Sequence, residues 1–168
     1  EELRNDPKER AENIMIVDLV RNDLSRTAAR GSVKVEELCG IYSFPQVHQM
    51  ISTITAKLAP KHHFVDALKK AFPMGSMTGA PKIRAMELIE IYESSKRGLY
   101  SGAIGYIDPS GNFDFNVVIR SLLYNASLKY LSYFVGGAIT NLSDPEKEYA
   151  ECLLKAEAIV RSLKINDY

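Results

Sequence analysis

Two segments near opposite ends of the chain open in the same way, and together they restrict what it can fold into. Asp6 stands before Pro7, and Ser143-Asp144 stands before Pro145. A side chain that accepts an amide hydrogen bond, followed by a proline whose lacking N–H is harmless in a first turn, marks a helix start. Beyond the first signal, Ile14, Val17, Val20 and Leu24 recur at helical spacing. Beyond the second, Leu153, Leu154, Ala156 and Val160 supply the apolar positions. Helices are therefore expected over about 7–24 and 143–163.

Between them the pattern changes period. Gly31 to Val35 reads as a turn into a short strand, and Val47 to Leu58 is rich in Ile, Thr and Val. A helix from about His63 to Ala71 follows. Gly75-Ser-Met-Thr-Gly-Ala-Pro-Lys82 is a loop feeding a second internal helix, with Thr78 as its expected cap and Ile83, Met86, Leu88 and Ile91 on its apolar side. That helix should end before Gly98. Tyr100 to Ile107, Asn112 to Tyr124 and Leu128 to Ile139 are three candidate strands, and the short polar connections Asp108-Pro-Ser-Gly111 and Asn125-Ala-Ser127 make them an antiparallel meander. The expected class is α+β, an antiparallel sheet packed by helices.

Composition excludes several functions. Lys plus Arg number 21 and Asp plus Glu 21, without a massed basic face, so no nucleic acid partner is expected. No run approaches the ~20 apolar residues of a membrane span, so no membrane association is expected either. The two cysteines, Cys39 and Cys152, stand far apart among apolar neighbours, which fits reduced thiols and a cytoplasmic location. At 168 residues one domain is the working count. The chain opens without an initiator Met and runs at once into helical pattern, which is expected of a piece of something longer.

Several residues carry chemistry. Glu9 and Glu12 lie three apart on the first helix, and Glu148 and Glu151 three apart on the last, so each pair shares a helix face. Four hard oxygen donors would suit magnesium; equally, glutamates on helices are ordinary solvated surface, and Glu151 with Lys155 is a favourable pair one turn apart. Arg120 interrupts the apolar run Phe115 to Leu123, where a guanidinium needs an anionic partner, either a ligand carboxylate or an internal Asp. Lys155 is a second candidate anion ligand, with a surface lysine as the plainer reading. His48, at the start of a predicted strand, is the histidine placed for acid–base work, with a satisfied structural histidine as the plainer reading, whereas His62 and His63 adjoin a loop. Gly136-Gly137, and Gly75, Ser76 and Gly79 before a helix start, can each present backbone amides to an anion.

Four motifs stand in order along the chain: Ala11-Glu-Asn-Ile-Met-Ile-Val-Asp-Leu-Val-Arg-Asn-Asp-Leu24, Gly31-Ser-Val-Lys-Val-Glu-Glu-Leu38, Gly75-Ser-Met-Thr-Gly-Ala-Pro-Lys-Ile-Arg-Ala-Met-Glu87 and Val118-Ile-Arg120. In these the chain resembles the chorismate-binding enzymes. Phe44-Pro-Gln-Val-His-Gln-Met-Ile-Ser-Thr-Ile-Thr-Ala56 and Phe72-Pro-Met-Gly-Ser-Met-Thr78 resemble aminodeoxychorismate synthase component I more than anthranilate synthase, the runner-up.

The resemblance implies that residues 1–168 are the C-terminal part of a chorismate-binding catalytic domain of two-layered-sheet fold. It implies magnesium between the positions of Glu12 and Glu151, with Glu9 and Glu148 close by. Arg120, helped by Tyr100, would bind the enolpyruvyl carboxylate of chorismate, and Lys155 with amides near Gly136 and Gly137 the ring carboxylate. His48 would stand beside the departing hydroxyl and Ser76 would line the pocket. Ammonia from a glutamine amidotransferase subunit would displace that hydroxyl, giving 4-amino-4-deoxychorismate on the way to p-aminobenzoate and folate. In place of the family's frequent third small glycine stands Ala138. The resemblance also implies a Pro-Ile-Lys-Gly-Thr-like segment before the point where this chain begins, its lysine being the covalent nucleophile of the aminodeoxychorismate enzymes. A non-catalytic module, associating through an apolar face, is the alternative.

Overall fold

The computed structural model describes residues 1–44, 48–141 and 143–163. The chain forms two units, Glu1–Ser94 and Ser95–Tyr168.

The first unit is a long helix on a two-stranded ribbon. A short α1 (Glu2–Asn5) leads into α2 (Pro7–Ser25), and Asp6 caps α2 as expected, its carboxylate accepting from the Glu9 amide at 2.9 Å. Val17 is buried on the inner face of α2. β1 (Lys34–Ser43) and β2 (His48–Thr55) pair antiparallel from Lys34↔Thr55 to Ser43↔His48. β1 runs well past the short strand expected near Val35, because two register irregularities, between Val35 and Glu37 and between Glu37 and Gly40, let it bend without losing its partner. Cys39 sits at the second with φ +55°. The predicted strand start at Val47 lies outside the described residues. Past the ribbon, Ala59 N–H donates to Thr27 O at 2.9 Å and Ala29 N–H to Lys57 O at 2.7 Å, so the segments leaving α2 and β2 hold each other.

α3 (Phe64–Ala71) begins with a device that composition did not suggest. His63 Nδ1 accepts from the Val65 amide at 3.4 Å while Asp66 accepts from the His63 amide at 2.9 Å, a reciprocal cap. A tight 3₁₀ turn, Gly75–Met77, follows, with Gly75 buried against α2; a Cβ there would stand 3.0 Å from Leu19 Cβ, tighter than an ordinary contact, so the turn favours glycine. α4 (Lys82–Tyr92) comes next. Thr78 does not cap it: the Thr78 hydroxyl donates back to Met74 O at 3.1 Å, and Pro81 occupies the cap position without a side-chain bond. Lys82, in the first turn, donates instead to the Asp23 carboxylate and to Ala71 O at 3.2 Å.

The second unit replaces the expected three-strand meander with two separate hairpins. β3 (Ala103–Ile107) pairs with β4 (Phe113–Val117), and β5 (Leu122–Asn125) with β6 (Tyr130–Tyr133), all antiparallel. The predicted strand Asn112 to Tyr124 breaks in the middle. Buried Val118 still exchanges backbone bonds with Ser101 and Gly102, but Ile119 N–H then turns back to Val117 O at 2.9 Å and Arg120 adopts φ +51°. A left-handed residue cannot continue the ladder. Both expected turns are present: Asp108 N–H donates to Asn112 O at 2.8 Å with Gly111 at φ +89°, and Leu128 N–H donates to Asn125 Oδ1 at 3.0 Å. α5 (Pro145–Leu163) starts with Asp144, whose carboxylate accepts from the Lys147 amide at 3.0 Å. The α+β class holds.

Candidate functional site

In the second unit, α5 carries Glu148, Glu151 and Lys155, three and seven positions apart, on one side of the helix. The segment after β6 runs along that side. Lys155 Nζ donates to Gly136 O at 3.1 Å and lies 2.6 Å from Glu151 Oε1. Glu148 is buried, at 5% exposure, and a Cβ built on Gly137 would stand 3.0 Å from its Oε2. A Cβ on Gly136 would stand 3.0 Å from the Tyr100 hydroxyl. Both glycines are thus close-approach positions: a side chain there would make the phenol or the carboxylate give way by a few tenths of an ångström.

Tyr100 is itself held by aromatic packing. Its ring stacks on Phe134 with centroids 5.6 Å apart and planes 22° apart, and the Arg97 guanidinium lies 5.9 Å from the ring centre. Arg97 also donates to Ser101 Oγ at 3.3 Å. Phe134 and Arg97 escaped sequence reasoning; an aromatic two residues before a glycine pair is the available signal, and it is a weak one. The structure therefore gathers Tyr100, Gly136, Gly137, Glu148, Glu151 and Lys155. Arg120 was expected buried in a strand, but it is exposed at the left-handed break after β4, where the ladder has ended.

In the first unit, Glu9 and Glu12 are half-buried in the first turns of α2, with Lys8 Nζ 3.5 Å from Glu12 Oε1. His48 is exposed as the first residue of β2, and its Nδ1 lies 2.9 Å from the hydroxyl of Ser43, its partner across the ribbon. That bond fixes the plane of the imidazole. Ser76 is exposed on the 3₁₀ turn.

The carboxylates are hard oxygen donors without thiolate or imidazole among them, a set that suits magnesium over zinc. Among the described residues no three His, Cys, Asp or Glu side chains stand together. The buried Glu148 carboxylate, seated against a backbone with no Cβ, fits a role as ligand to a cation. Both cysteines are free thiols, Cys39 buried. No helix among the described residues is long and apolar enough to cross a membrane.

A family model described as chorismate binding enzyme matches residues 1–161. The chain is 49% identical over 158 residues to a protein of Oryza sativa subsp. japonica described as probable aminodeoxychorismate synthase, chloroplastic, covering 94% of this chain and 17% of that protein. It is 46% identical over 164 residues to aminodeoxychorismate synthase component 1 of Klebsiella aerogenes, covering 98% of this chain and 36% of that one. Among solved structures, anthranilate synthase component I from Streptococcus pneumoniae TIGR4 superposes with a TM-score of 0.79 at 37% identity, over 94% of this chain and 36% of that one. The chain thus spans little more than a third, at most, of the length of these relatives.

Proposed function

This chain belongs to the chorismate binding enzyme family, and from that premise we propose that it is the C-terminal part of an aminodeoxychorismate synthase component 1, which replaces the ring hydroxyl of chorismate with ammonia. The observation that carries the reading is the agreement of two things: identity to aminodeoxychorismate synthases along nearly the whole chain, and the cluster of Lys155, Gly136, Gly137, Tyr100 and the α5 carboxylates on one face of the second unit.

Chorismate presents two carboxylates and a leaving hydroxyl. Lys155 is a donor suited to one carboxylate, and the backbone near Gly136 and Gly137 can come close because no Cβ intervenes. Arg120 would take the other carboxylate through its planar fork, helped by Tyr100. Two anionic arms held in this way leave the ring oriented for attack, so much of the rate would come from position rather than from a strong base. The imidazole of His48, held by Ser43, would give its proton to the departing hydroxyl, and Ser76 would line the same pocket. Glu12 and Glu151 would hold magnesium, with Glu9 and Glu148 next to them. When bound, the ion supplies Lewis-acid stabilisation of the charge on the carboxylate and leaving oxygen.

The partner in this reading is a glutamine amidotransferase subunit that supplies ammonia, and the setting is the cytoplasm. The test is product analysis of the natural-length protein incubated with chorismate, magnesium and an ammonium salt. 4-Amino-4-deoxychorismate supports the reading; anthranilate would transfer the protein to the other branch of the family; absence of turnover at full length would overturn it. Glutamine replacing ammonium only after the amidotransferase subunit is added would support the partner.

A further inference from the structure

Asn13 sits directly after Glu12, in the middle of a helix, where its side chain gains nothing from helix propensity. Its carboxamide is spent on the ribbon instead. Nδ2 donates to Met50 O at 3.3 Å, while Oδ1 accepts from the Ser52 hydroxyl at 2.5 Å and from the Cys39 thiol at 3.5 Å. The Ser52 oxygen in turn accepts from the Cys39 backbone amide at 2.8 Å, which is aimed at it by the irregularity that puts Cys39 at φ +55°. Each group has its complement, and the bonds run from α2 to both strands.

Apolar packing of a helix on a ribbon tolerates small slides along the axis, because dispersion contacts are weakly directional. Hydrogen bonds at these lengths do not, since they weaken steeply with angle. The tie is placed where such a slide would matter: one residue from Glu12, and, through Met50 and Ser52, two and four residues along β2 from His48.

We infer that Asn13 and Ser52 are positioning residues that hold the carboxylate-bearing face of α2 in fixed registry with the His48 end of β2. The inference rests on the proposed function, in which Glu12 holds the metal and His48 serves the leaving hydroxyl. Neither Asn13 nor Ser52 touches substrate in this scheme; both act through their neighbours.

The experiment compares Asn13→Leu, Ser52→Ala, Ser52→Thr and the Asn13→Leu/Ser52→Ala double variant in the natural-length protein. Three quantities are read: kcat and KM for chorismate, Mn²⁺ affinity of the substrate-free protein by electron paramagnetic resonance, and the melting temperature. Asn13→Leu and Ser52→Ala should each lower kcat and Mn²⁺ affinity by about tenfold or more, the range typical of groups that orient metal ligands, with KM little changed. Ser52→Thr, which keeps the hydroxyl, should recover most of both, and the double variant should be no worse than the poorer single one, since both break one tie. Variants that melt earlier but keep wild-type kcat and Mn²⁺ affinity while folded would reduce the tie to a stabilising contact and overturn the inference. A wild-type protein that neither turns over chorismate nor binds Mn²⁺ would instead overturn the proposed function, and the inference with it.

Discussion

The Lys82 ammonium closes on the Asp23 carboxylate, joining the first turn of α4 to the last turn of α2 across 59 residues of sequence. Asp23 is nearly buried, and Lys82 also donates to Ala71 O, so one cation ties together the ends of three helices. Both residues belong to motifs that mark the family, and here they meet to hold the connection carrying Ser76 against α2.

Asp23→Asn or Lys82→Met should therefore destabilise the first unit markedly. Breaking one side of a buried pair leaves an uncompensated charge, at a cost of about 3–5 kcal/mol. Urea denaturation followed by circular dichroism reads this directly, and a double Asp23→Leu/Lys82→Met variant should lose less than the sum of the singles. Single variants within 1 kcal/mol of wild type, about the size of an exposed ion pair, would show that the pair is solvated and weak.

Gly137→Ala should damage function while sparing the fold. The new methyl would meet Glu148 Oε2 at 3.0 Å and push the carboxylate away from its present place. A loss of roughly 10- to 100-fold in magnesium affinity is expected, as for other groups that orient ligands, with little change in melting temperature. Titration calorimetry with magnesium decides it, and unchanged affinity would remove Glu148 from the ligand set.

Lys155→Met should raise KM for chorismate. A hydrogen bond to a charged group contributes about 1.5–3 kcal/mol, so the expected rise is on the order of 10- to 100-fold. The variant also releases Glu151 from its ion pair. Comparing chorismate with an analogue lacking the ring carboxylate separates the two effects: a lysine that grips that carboxylate loses its importance once the carboxylate is gone.

The β3–β4 turn should loosen in acid. Side-chain hydrogen bonds from Asn112 and Ser110 hold the Asp108 carboxyl below the usual carboxylate range. The folded state thus binds its proton less readily than the unfolded chain does. The stability Asp108 contributes is present above the ordinary carboxylate pKa of about 3.9 and is lost as pH falls through the lower folded value. Protection of the Gly111 and Asn112 amides, taken against the intrinsic exchange rate at each pH, should fall over that window in the wild type and show no such step in Asp108→Ala, which has no carboxyl to titrate.

Much was legible in the chain because it depends on neighbours within a helical turn. Asp6 and Asp144 cap their helices as the Asp-Pro pattern demands, since cap, proline and amide lie within four residues of one another. The same short range puts Glu9 with Glu12 and Glu148 with Glu151, whatever else the fold does. The turn at Asp108 and the Glu151–Lys155 pair are of this kind too. The His63 cap is local as well, but histidine is an uncommon cap and its sequence signal is weak.

The rest was decided by groups far apart in sequence. Nothing near Arg120 announces the left-handed break between β4 and β5; Val-Val-Ile-Arg-Ser-Leu-Leu, which holds neither glycine nor proline, reads as strand until the backbone bonds of Val118 to Ser101 and Gly102 fix where the ladder stops. Thr78 had the side chain of a cap, but its hydroxyl found the closer carbonyl of Met74. Only the fold brings Tyr100 to Gly136 and Asn13 to Ser52, because a hydrogen bond or a close approach between distant residues exists only once the chain has closed on itself. Periodicity records which face a side chain takes, whereas its partner is chosen by packing.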